Sequence, residues 1–308
     1  MTMAPFPAPV ATYHHATYPA LDPTRPELSA KGKTIVVTGG GTGIGAEIVK
    51  YFAKAGAAKI LILGRRESPL ISTQKFIQAD YPNVEIFAAP TDITKKDQVD
   101  AAFAKFIGDT KVNVLVSNAG LMCAMKAIKD VHVDEWFEGI TTNVKGSFNI
   151  SQAFLRYASS NAVLINISSA WVHVNFSLDG SSYAVAKAAA LRFFSSLAHE
   201  HPELTIYNIQ PGLVFTDISE AGGFREDGQG MTEENKSYLA IFDKVSLPAS
   251  FVVWLASPQA RFLKGKFVWS NWDVEELSKR KEEIEKGTFL DFGLVGWPFK
   301  SVNGAETS

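Results

Sequence analysis

A tyrosine and a lysine four residues apart, Tyr183 and Lys187, have the residue types and spacing that proton transfer needs. In a helix this spacing places both side chains on one face, about one turn apart. Because a nearby ammonium group favours a phenolate, we expect Lys187 to lower the pKa of Tyr183 from its reference value of about 10. The motif is common by chance, and a half-buried tyrosine beside a solvated lysine is the alternative. Two serines, Ser168 and Ser169, precede the pair at the end of a predicted strand.

A glycine-rich segment, residues 38–45, follows the first predicted strand and reads Thr-Gly-Gly-Gly-Thr-Gly-Ile-Gly. Glycines let the backbone turn tightly and approach a pyrophosphate, whose charge is stabilised by the free N–H groups and dipole at the start of the next helix. A tight structural turn is the alternative. Since the Tyr183 motif follows a Ser-Ser strand end behind this segment, the sequence favours a dinucleotide site beside a proton donor.

Apolar runs of strand length alternate with segments of helical period, which predicts a parallel sheet with helices on both faces. The predicted strands are 34–38, 59–63, 84–88, 112–116, 162–167, 204–209 and 266–269. The predicted helices are 44–56, 67–80, 95–107, 134–158, 181–200 and 248–256. We therefore predict an α/β, Rossmann-like, doubly wound seven-stranded parallel sheet in a single domain, over residues 31–270.

Three other segments complete the organisation. Residues 1–30 hold six of the fourteen prolines and predict an irregular arm, with structure beginning near Lys33. The glycine-rich stretch 217–247 follows a strand at the edge where ligands bind, so we interpret it as a mobile substrate loop; a plain surface insertion is the alternative. Residues 271–308 extend past the predicted sheet.

In that last segment, Asp273 and Glu276 resemble a capping box and Gly287 is placed to end a short amphipathic helix. Several apolar side chains then follow, at Phe289, Leu290, Phe292, Leu294, Val295, Trp297 and Phe299. Fully burying each of these side chains stabilises the folded protein by roughly 1.5 to 3 kcal/mol, so we expect the segment to pack against the rest of the protein. Our hypothesis places it over the substrate side of its own subunit or against a neighbour. The alternative is that it covers an exposed sheet edge.

With these motifs in order, residues 32–270 resemble the single-domain form of the short-chain dehydrogenase/reductase family, and the ending from Trp269 is similar to fungal members. Residues 38–45 are similar to the family's T-G-x-x-x-G-x-G loop, and residues 117–120 to its N-N-A-G segment, with Ser117 replacing the first asparagine. Residues 211–212 match its P-G motif.

The resemblance implies a catalytic tetrad, which is Asn143, Ser169, Tyr183 and Lys187. It also implies a set of cofactor-binding residues: Gly39, Gly41, Thr42, Gly43, Ile44, Asp92, Ile93, Asn118, Ala119, Gly120, Tyr183, Lys187, Pro211, Gly212, Val214 and Thr216. In this comparison Asp92 holds the adenine and Thr216 faces the nicotinamide carboxamide. Ser169 stands fourteen residues before the tyrosine instead of the family's thirteen, so one residue is inserted between them. We assign Ser169 to the tetrad and Ser168 to a structural role.

The end of the second predicted strand bears on the choice of cofactor. An NAD site places Asp or Glu about twenty residues after the glycines, but residues 63–66 read Leu-Gly-Arg-Arg and no carboxylate occurs before Glu67. Arg65 can pair with a 2'-phosphate through charge-assisted hydrogen bonds, which favours NADP(H). A solvated pair of arginines at a helix start is the alternative.

These features predict hydride transfer between the nicotinamide and a carbonyl carbon, with Tyr183 as proton donor. We expect an apolar pocket lined by 121–125, 171–176, Leu213, Phe215 and 217–247, suited to a hydrophobic or aromatic ketone or secondary alcohol. Two rival hypotheses are a non-catalytic NADP-binding redox sensor, which has no need of Tyr183 and Lys187, and an extended nucleotide-sugar epimerase or dehydratase, whose T-G-x-x-G-x-x-G loop is not found here.

Composition limits the other classes of function. The chain has 308 residues, 46% hydrophobic and 20% charged, as in an ordinary globular protein. A net charge of -2 argues against nucleic-acid binding, and the single cysteine precludes an internal disulfide and disfavours metal binding. With no membrane-length apolar run and no signal peptide, we expect a cytoplasmic enzyme with a small-molecule substrate, no metal, no membrane partner and a homodimeric or homotetrameric assembly.

Overall fold

The computed structural model describes residues 6–108, 110–122, 125–174, 179–233, 236 and 238–294. Its centre is a sheet whose strands are β1 Thr34–Thr38, β2 Lys59–Gly64, β3 Glu85–Pro90, β4 Val112–Ser117, β5 Ala158–Ile167, β6 Thr205–Gln210 and β7 Phe267–Trp269. They lie in the order β3-β2-β1-β4-β5-β6-β7, and every neighbouring pair is parallel. The predicted doubly wound, seven-stranded fold is confirmed, and the order reverses between β1 and β4, where ligands of such sheets bind.

The helices follow the strands along the chain. They are α1 Gly43–Lys54, α2 Glu67–Asp80, α3 Lys96–Ile107, α4 Val133–Ile140, α5 Gly146–Tyr157, α6 Ser181–Glu200, α7 Asp217–Ala221, α8 Ser246–Leu255, α9 Val274–Lys279 and α10 Lys281–Lys286. No helix among the described residues is both long and apolar enough to cross a membrane.

Both faces of the sheet are covered, which explains why its strands are apolar throughout. Along β1, Ile35 and Val37 belong to one buried cluster and Val36 to the other, because successive side chains of a strand point to opposite faces. Helices α1, α2 and α8 complete the first cluster, while α3, α5 and α6 complete the second. A half-exposed sheet would instead show polar residues at alternate positions.

The helix predicted at 134–158 is present from Val133 to Tyr157, but it is not α-helical throughout. A π turn, Thr141–Lys145, separates α4 from α5. At this turn the side chain of Asn143 bonds to the helix itself, since its Nδ2 donates to the carbonyl oxygen of Gly139, one turn back, at 2.8 Å. A helical period in the sequence does not reveal such a turn, since the apolar stripe resumes after it.

The arm before β1 is irregular in backbone but closely packed. It contains two short 3-10 turns, Pro19–Leu21 and Pro26–Leu28. Leu21 and Leu28 are fully buried in the main core. Ordered packing therefore begins well before Lys33, because single apolar anchors dock a segment that has no hydrophobic period.

The expected capping box at the start of α9 forms only in part. The side chain of Asp273 accepts from the backbone N–H groups of Glu275 and Glu276, at 3.0 and 2.9 Å. Glu276 does not return a bond to Asp273; its carboxylate accepts from Ala11 N and Thr12 Oγ1, both at 2.6 Å. Glu276 thus ties the arm to the C-terminal region, a contact between residues 264 or more positions apart.

The segment after α10 runs along the edge strand β7. The carbonyl oxygen of Leu290 accepts from Phe267 N at 2.9 Å, and the buried Lys266 Nζ donates to Gly287 O and Asp291 Oδ1, at 2.7 and 2.8 Å. Residues 287–294 do not contribute to the cavity described below. Residues 287–294 therefore cover the edge of the sheet, which was the alternative to our hypothesis of a segment over the substrate side. Phe292 and Leu294 are exposed, and the expected anchors Val295, Trp297 and Phe299 lie outside the described residues.

Candidate active site

A cavity of about 720 Å³ opens at the carboxyl ends of the strands, on the side of the sheet where the strand order reverses. Its wall includes every residue that the sequence assigned to the cofactor and the catalytic tetrad except Asn143, which lies directly behind it: Gly39, Gly41, Thr42, Gly43, Ile44, Arg65, Asp92, Ile93, Asn118, Ala119, Gly120, Ser169, Tyr183, Lys187, Pro211, Gly212, Val214 and Thr216. Residues distant in sequence meet here because parallel strands end at one edge.

The glycine-rich turn between β1 and α1 is too crowded for side chains. Gly39 has φ +68°, and a Cβ there would lie 2.8 Å from Asn118 Nδ2. A Cβ on Gly45 would lie 2.1 Å from the carbonyl oxygen of Gly39. Asn118 holds the turn from β4, since its Nδ2 donates to Thr38 O at 2.9 Å. The turn thus presents bare backbone and the start of α1 to the cavity, the arrangement that binds a pyrophosphate.

Tyr183 lies on α6 with only 6% of its surface exposed. Burial raises the pKa of Tyr183 to about 12, and a hydrogen bond with Ser169 acts in the opposite direction. The indole ring of Trp171 meets the phenol edge to face, with the ring centres 6.1 Å apart. The phenol is therefore protonated at neutral pH, and Tyr183 lines the cavity.

Lys187 lies one turn along the same helix, and its Nζ is 5.6 Å from the centre of the Tyr183 ring. Nζ donates to the carbonyl oxygen of Ile167 at 2.9 Å, and burial lowers the pKa of Lys187 to about 8. The expectation that Lys187 lowers the pKa of Tyr183 is wrong for this site. Loss of hydration disfavours the charged form of each buried group, and the opposing contribution to the pKa of Tyr183 comes from the hydrogen bond with Ser169.

Asn143 is 2% exposed and sits in the π turn between α4 and α5. Its Nδ2 donates to Leu121 O at 2.8 Å and its Oδ1 accepts from Leu121 N at 3.3 Å, in addition to the bond with Gly139. A Cβ on Gly120 would lie 2.9 Å from Asn143 Oδ1 and 3.3 Å from Lys187 Nζ. Gly120 therefore allows the amide and the ammonium to approach each other behind the cavity wall.

The two serines at the end of β5 differ in their contacts. Ser169 hydrogen-bonds Tyr183 and caps a 3-10 turn, Ala170–Val172, through a 3.3 Å bond from Trp171 N to its Oγ. Ser168 Oγ is buried and has no hydrogen-bond partner among the described residues. This geometry supports the assignment of Ser169, and not Ser168, to the reacting side.

Three charged side chains stand at the other end of the cavity. Arg65 follows β2, is exposed, and forms no ion pair within the described part of the chain. Asp92 follows β3 and its Oδ1 accepts from Thr94 N and Oγ1, at 2.9 and 2.8 Å. Burial opposes ionisation of Asp92, but these bonds and nearby Arg65 lower its pKa. Arg66 instead pairs with Asp217 of α7, at 2.6 Å.

The segment after β6, residues 211–216, lines the cavity next to the glycine-rich turn. Thr216 caps α7 in a capping box with Ser219, whose N–H donates to Thr216 Oγ1 at 3.2 Å. A Cβ on Gly43 would lie 3.1 Å from Thr216 Cγ2, so the two segments are in near contact. The stretch 217–247, expected to be a loop, begins with this helix.

The substrate end of the cavity is largely apolar. Its wall contains Leu121, Met122, Met125, Trp171, Leu213, Ile218, Phe224 and Phe242, together with Glu138, Thr141 and Thr142, which sequence reasoning missed. These last three lie inside a predicted helix, and no sequence signal marks which of its faces meets the cavity. Cys123, Ala124 and residues 175–178 lie outside the described part of the chain.

Two expectations about this wall are wrong. Phe215 does not line the cavity; its ring stacks on Phe242, with the centres 3.8 Å apart, and Phe242 takes the inner position. Of residues 171–174, only Trp171 reaches the cavity. Val172 and Val174 pack against the main core, and His173 packs beside Phe267 with ring centres 5.2 Å apart, because the 3-10 turn redirects the chain.

The residues present fit a nicotinamide dinucleotide. The crowded glycines leave room for a pyrophosphate at the turn, and Asp92 stands where an adenine would lie. Lys187, Gly212 and Thr216 line the same cavity as Tyr183 and would hold a nicotinamide riboside. Fold and site together define an oxidoreductase that uses a nicotinamide cofactor.

Comparison with known proteins identifies the family. Residues 33–224 match the model of the short chain dehydrogenase family. The chain therefore belongs to the short-chain dehydrogenases/reductases. A "Short chain dehydrogenase/reductase" of Claviceps purpurea is 32% identical over 294 residues, covering 94% of this chain and 95% of that protein. "Short chain dehydrogenase/reductase AacuD" of Aspergillus aculeatus is 31% identical, covering 93% and 96%.

Solved structures show the same fold. A 7 alpha-hydroxysteroid dehydrogenase, complexed with NADH and 7-oxo glycochenodeoxycholic acid, superposes with a TM-score of 0.70 at 24% identity, covering 83% of this chain and 97% of that one. Levodione reductase superposes with a TM-score of 0.71 at 19% identity, covering 78% and 96%. At these identities the likeness concerns the fold alone.

Proposed function

We propose that this protein is an NADP(H)-dependent oxidoreductase acting on a hydrophobic or aromatic ketone or secondary alcohol. The observation that carries the proposal is the convergence of Tyr183, Ser169 and Lys187 on one cavity that also contains the glycine-rich turn. A binding module that only senses the cofactor has no physical need for a buried tyrosine bonded to a serine beside a buried lysine.

In the direction of reduction, Ser169 Oγ donates a hydrogen bond to the carbonyl oxygen of the substrate and fixes its position. Tyr183 gives its proton to the same oxygen as negative charge develops there. When bound, the cofactor supplies the hydride that the carbonyl carbon accepts. Because burial raises the pKa of Tyr183, the phenol is protonated before each turnover.

Lys187 and Asn143 act behind the tyrosine. Lys187 Nζ, fixed by Ile167 O, would hold the ribose hydroxyls of the cofactor and return a proton to Tyr183. Asn143 would hold a water that connects Lys187 with the solvent, in line with its position next to Gly120 and Lys187. Two bonds with Leu121 and one with Gly139 fix the orientation of the Asn143 amide.

The preference for NADP(H) rests on Arg65. Its exposed guanidinium lines the cavity after β2, where an NAD-binding protein has a carboxylate. A guanidinium can form two parallel bonds to a 2'-phosphate, whereas a 2'-hydroxyl offers it no charge. The Arg66–Asp217 pair leaves Arg65 as the neighbouring cation for this role.

The substrate class follows from the chemistry of the wall. Aromatic and aliphatic side chains surround the position in front of Tyr183, with Trp171, Phe224 and Phe242 as the large aromatic surfaces. Sugars and small acids need several polar partners, while this wall favours stacking and apolar contact.

We also propose a homodimer or homotetramer. Val133 and Phe137 share one face of α4 and are 59% and 53% exposed, and Phe148 of α5 and Val185 of α6 are 48% and 44% exposed. Large apolar side chains grouped on neighbouring helices are typical of subunit interfaces. A second copy of this chain is the partner that would cover them.

The test is oxidation of NADPH or NADH, followed by absorbance at roughly 340 nm, with a panel of hydrophobic ketones and quinones. We expect turnover with NADPH and at least one aromatic carbonyl compound. Tight NADPH binding with no turnover across the panel, and none in the reverse direction with the matching alcohols, would favour the redox-sensor hypothesis instead. Light scattering on the same sample gives the number of subunits.

A further inference from the structure

Asp243 is a buried carboxylate that no step of the proposed reaction uses. Its side chain is 2% exposed. Oδ2 accepts from Leu213 N at 2.7 Å, while Oδ1 accepts from Asn271 Nδ2 at 3.0 Å and lies 2.6 Å from His15 Nδ1. Burying a carboxylate is costly unless several donors meet it, and here three segments of the chain supply them.

One of those segments is the 211–214 loop, and its shape depends on Asp243. Gly212 has φ +99°, and a Cβ there would lie 2.4 Å from Asp243 Oδ2. Asp243 N also donates to Leu213 O at 2.6 Å, and Val214 pairs with Asp243 in a parallel bridge. The carboxylate therefore occupies the space beside Gly212 and holds the loop at two atoms of Leu213. Gly212, Leu213 and Val214 all face the cavity.

The N-terminal arm holds Asp243 from the opposite side. The His15 ring contacts the carboxylate, and the His15 carbonyl oxygen accepts from Lys244 N at 2.7 Å. Asn271 connects the arm with Asp243, since its Nδ2 donates to His14 O at 2.9 Å as well as to the Asp243 carboxylate. The arm, residues 243–244 and the end of β7 thus form a closed network directly behind the cavity wall.

We propose that Asp243 is a positioning residue, held by His15 of the arm, that sets the conformation of the 211–214 loop at the cofactor side of the cavity. The inference rests on the proposed function, because it takes the 211–214 loop as part of the wall that holds the nicotinamide end of the cofactor. It makes the arm part of the support of the active site, although no residue of the arm touches the cavity within the described residues.

The test compares two neighbouring histidines of the full chain. His15→Ala removes the contact with Asp243, while the matched control His14→Ala removes a 2.8 Å contact with Asp273 and a stacked contact with Tyr18. Two properties are measured: the Kd for NADPH by fluorescence titration, and hydrogen exchange at the Leu213 amide without cofactor. A third variant, His15→Asn, keeps an N–H donor near the position of the lost ring nitrogen.

We expect His15→Ala to raise the Kd for NADPH and to speed Leu213 exchange, each about tenfold, the scale of one lost hydrogen bond to a charged group. Both alanine variants should lower the Tm, but His14→Ala should leave the Kd for NADPH and the Leu213 exchange rate unchanged, and His15→Asn should restore both to the parent values. Equal effects of the two alanine variants, or no effect of His15→Ala on Leu213 exchange, would overturn the proposal. If the parent protein neither binds NADPH nor turns over a carbonyl substrate, the proposed function fails, whereas the exchange comparison still decides the role of Asp243.

Discussion

Lys187 Nζ donates a 2.9 Å hydrogen bond to the carbonyl oxygen of Ile167, the last residue of β5. The bond joins α6 to the strand that delivers Ser169 two residues later. It therefore fixes the distance between the helix that carries Tyr183 and the strand end that carries the serine. Tyr183 and Lys187 are four positions apart, which is a local spacing, but this bond is a tertiary contact over twenty residues.

Replacing the phenol by a benzene ring tests the proton donor. Tyr183→Phe keeps the edge-to-face contact with Trp171 and removes the donor, so we expect kcat to fall by roughly 100-fold or more while the Kd for NADPH changes little. Steady-state kinetics and a fluorescence titration measure the two. Tyr157→Phe, which changes a ring packed on Phe103 outside the cavity, is the control. More than about a tenth of the parent activity in Tyr183→Phe would assign the proton to another group.

The buried ammonium of Lys187 makes stability depend on pH. Its pKa is about 8 in the folded protein and 10.5 in the unfolded chain, so between these values the unfolded chain binds more protons. The free energy of unfolding therefore gains at most about 3 kcal/mol from this residue as pH rises through that interval, and loses it as pH falls to 8.

Urea denaturation of the parent and of Lys187→Met measures this effect. We expect the variant to be relatively more stable at pH about 7 than at pH about 10, since it lacks the ionisable group. The lost bond to Ile167 O affects both pH values alike and cancels in the comparison. A stability difference that is independent of pH would show that the ammonium is not desolvated.

Charge reversal at Arg65 tests the cofactor preference. Arg65→Asp removes the phosphate partner and adds repulsion, so we expect NADPH affinity to fall by about 1.5 to 3 kcal/mol or more, with NADH affinity unchanged or improved. Lys75→Asp makes the same charge change on the exposed face of α2, away from the cavity, and should alter neither affinity. Equal affinities of the parent protein for NADPH and NADH would remove the basis of the assignment.

A methyl group at Gly120 tests the contact between the amide and the ammonium. Gly120→Ala places a Cβ 2.9 Å from Asn143 Oδ1 and 3.3 Å from Lys187 Nζ, and the amide is held by three bonds and cannot move freely. We expect kcat to fall by up to about 100-fold, as for other displacements of reacting groups by an ångström or so. Gly293→Ala meets no atom within 4 Å and should have parent activity. Unchanged kcat in Gly120→Ala would mean that the Lys187 position is not critical.

Truncation tests the segment on the edge of β7. Deletion after Lys286 removes Gly287 O and Asp291 Oδ1 from Lys266, whose side chain is 8% exposed, and so leaves a buried ammonium without these partners. We expect a lower Tm with little change in KM, because residues 287–294 do not line the cavity. Deletion after Gly293 keeps both contacts, so the difference in Tm between the two deletions measures the loss of residues 287–293 and of these partners. Adding Lys266→Met to the longer deletion should recover part of the lost stability.

Much of the fold was determined by the sequence alone. The apolar runs predict seven buried strands, since only a sheet covered on both faces tolerates strands without polar alternation. The glycines of 38–45 predict the turn because Gly39 and Gly43 adopt positive φ, and a Cβ on Gly45 would collide with the carbonyl oxygen of Gly39 within the turn itself. Tyr183 and Lys187 share a helix face because their spacing is about one turn.

The tertiary structure decided what depends on contacts between distant residues. Burial, and not the neighbouring lysine, sets the pKa of Tyr183, and a sequence does not state the depth at which a side chain will lie. At the π turn, the Asn143 amide meets Leu121, which lies 22 residues away in the chain. Asp243 contacts His15, Leu213 and Asn271, which lie 228, 30 and 28 positions away in the chain. No local sequence pattern around Asp243 could therefore predict these partners. The spacing of residue types along the chain determines the helices and strands. The energies of charged and polar groups depend instead on which helices, strands and loops the fold packs against them.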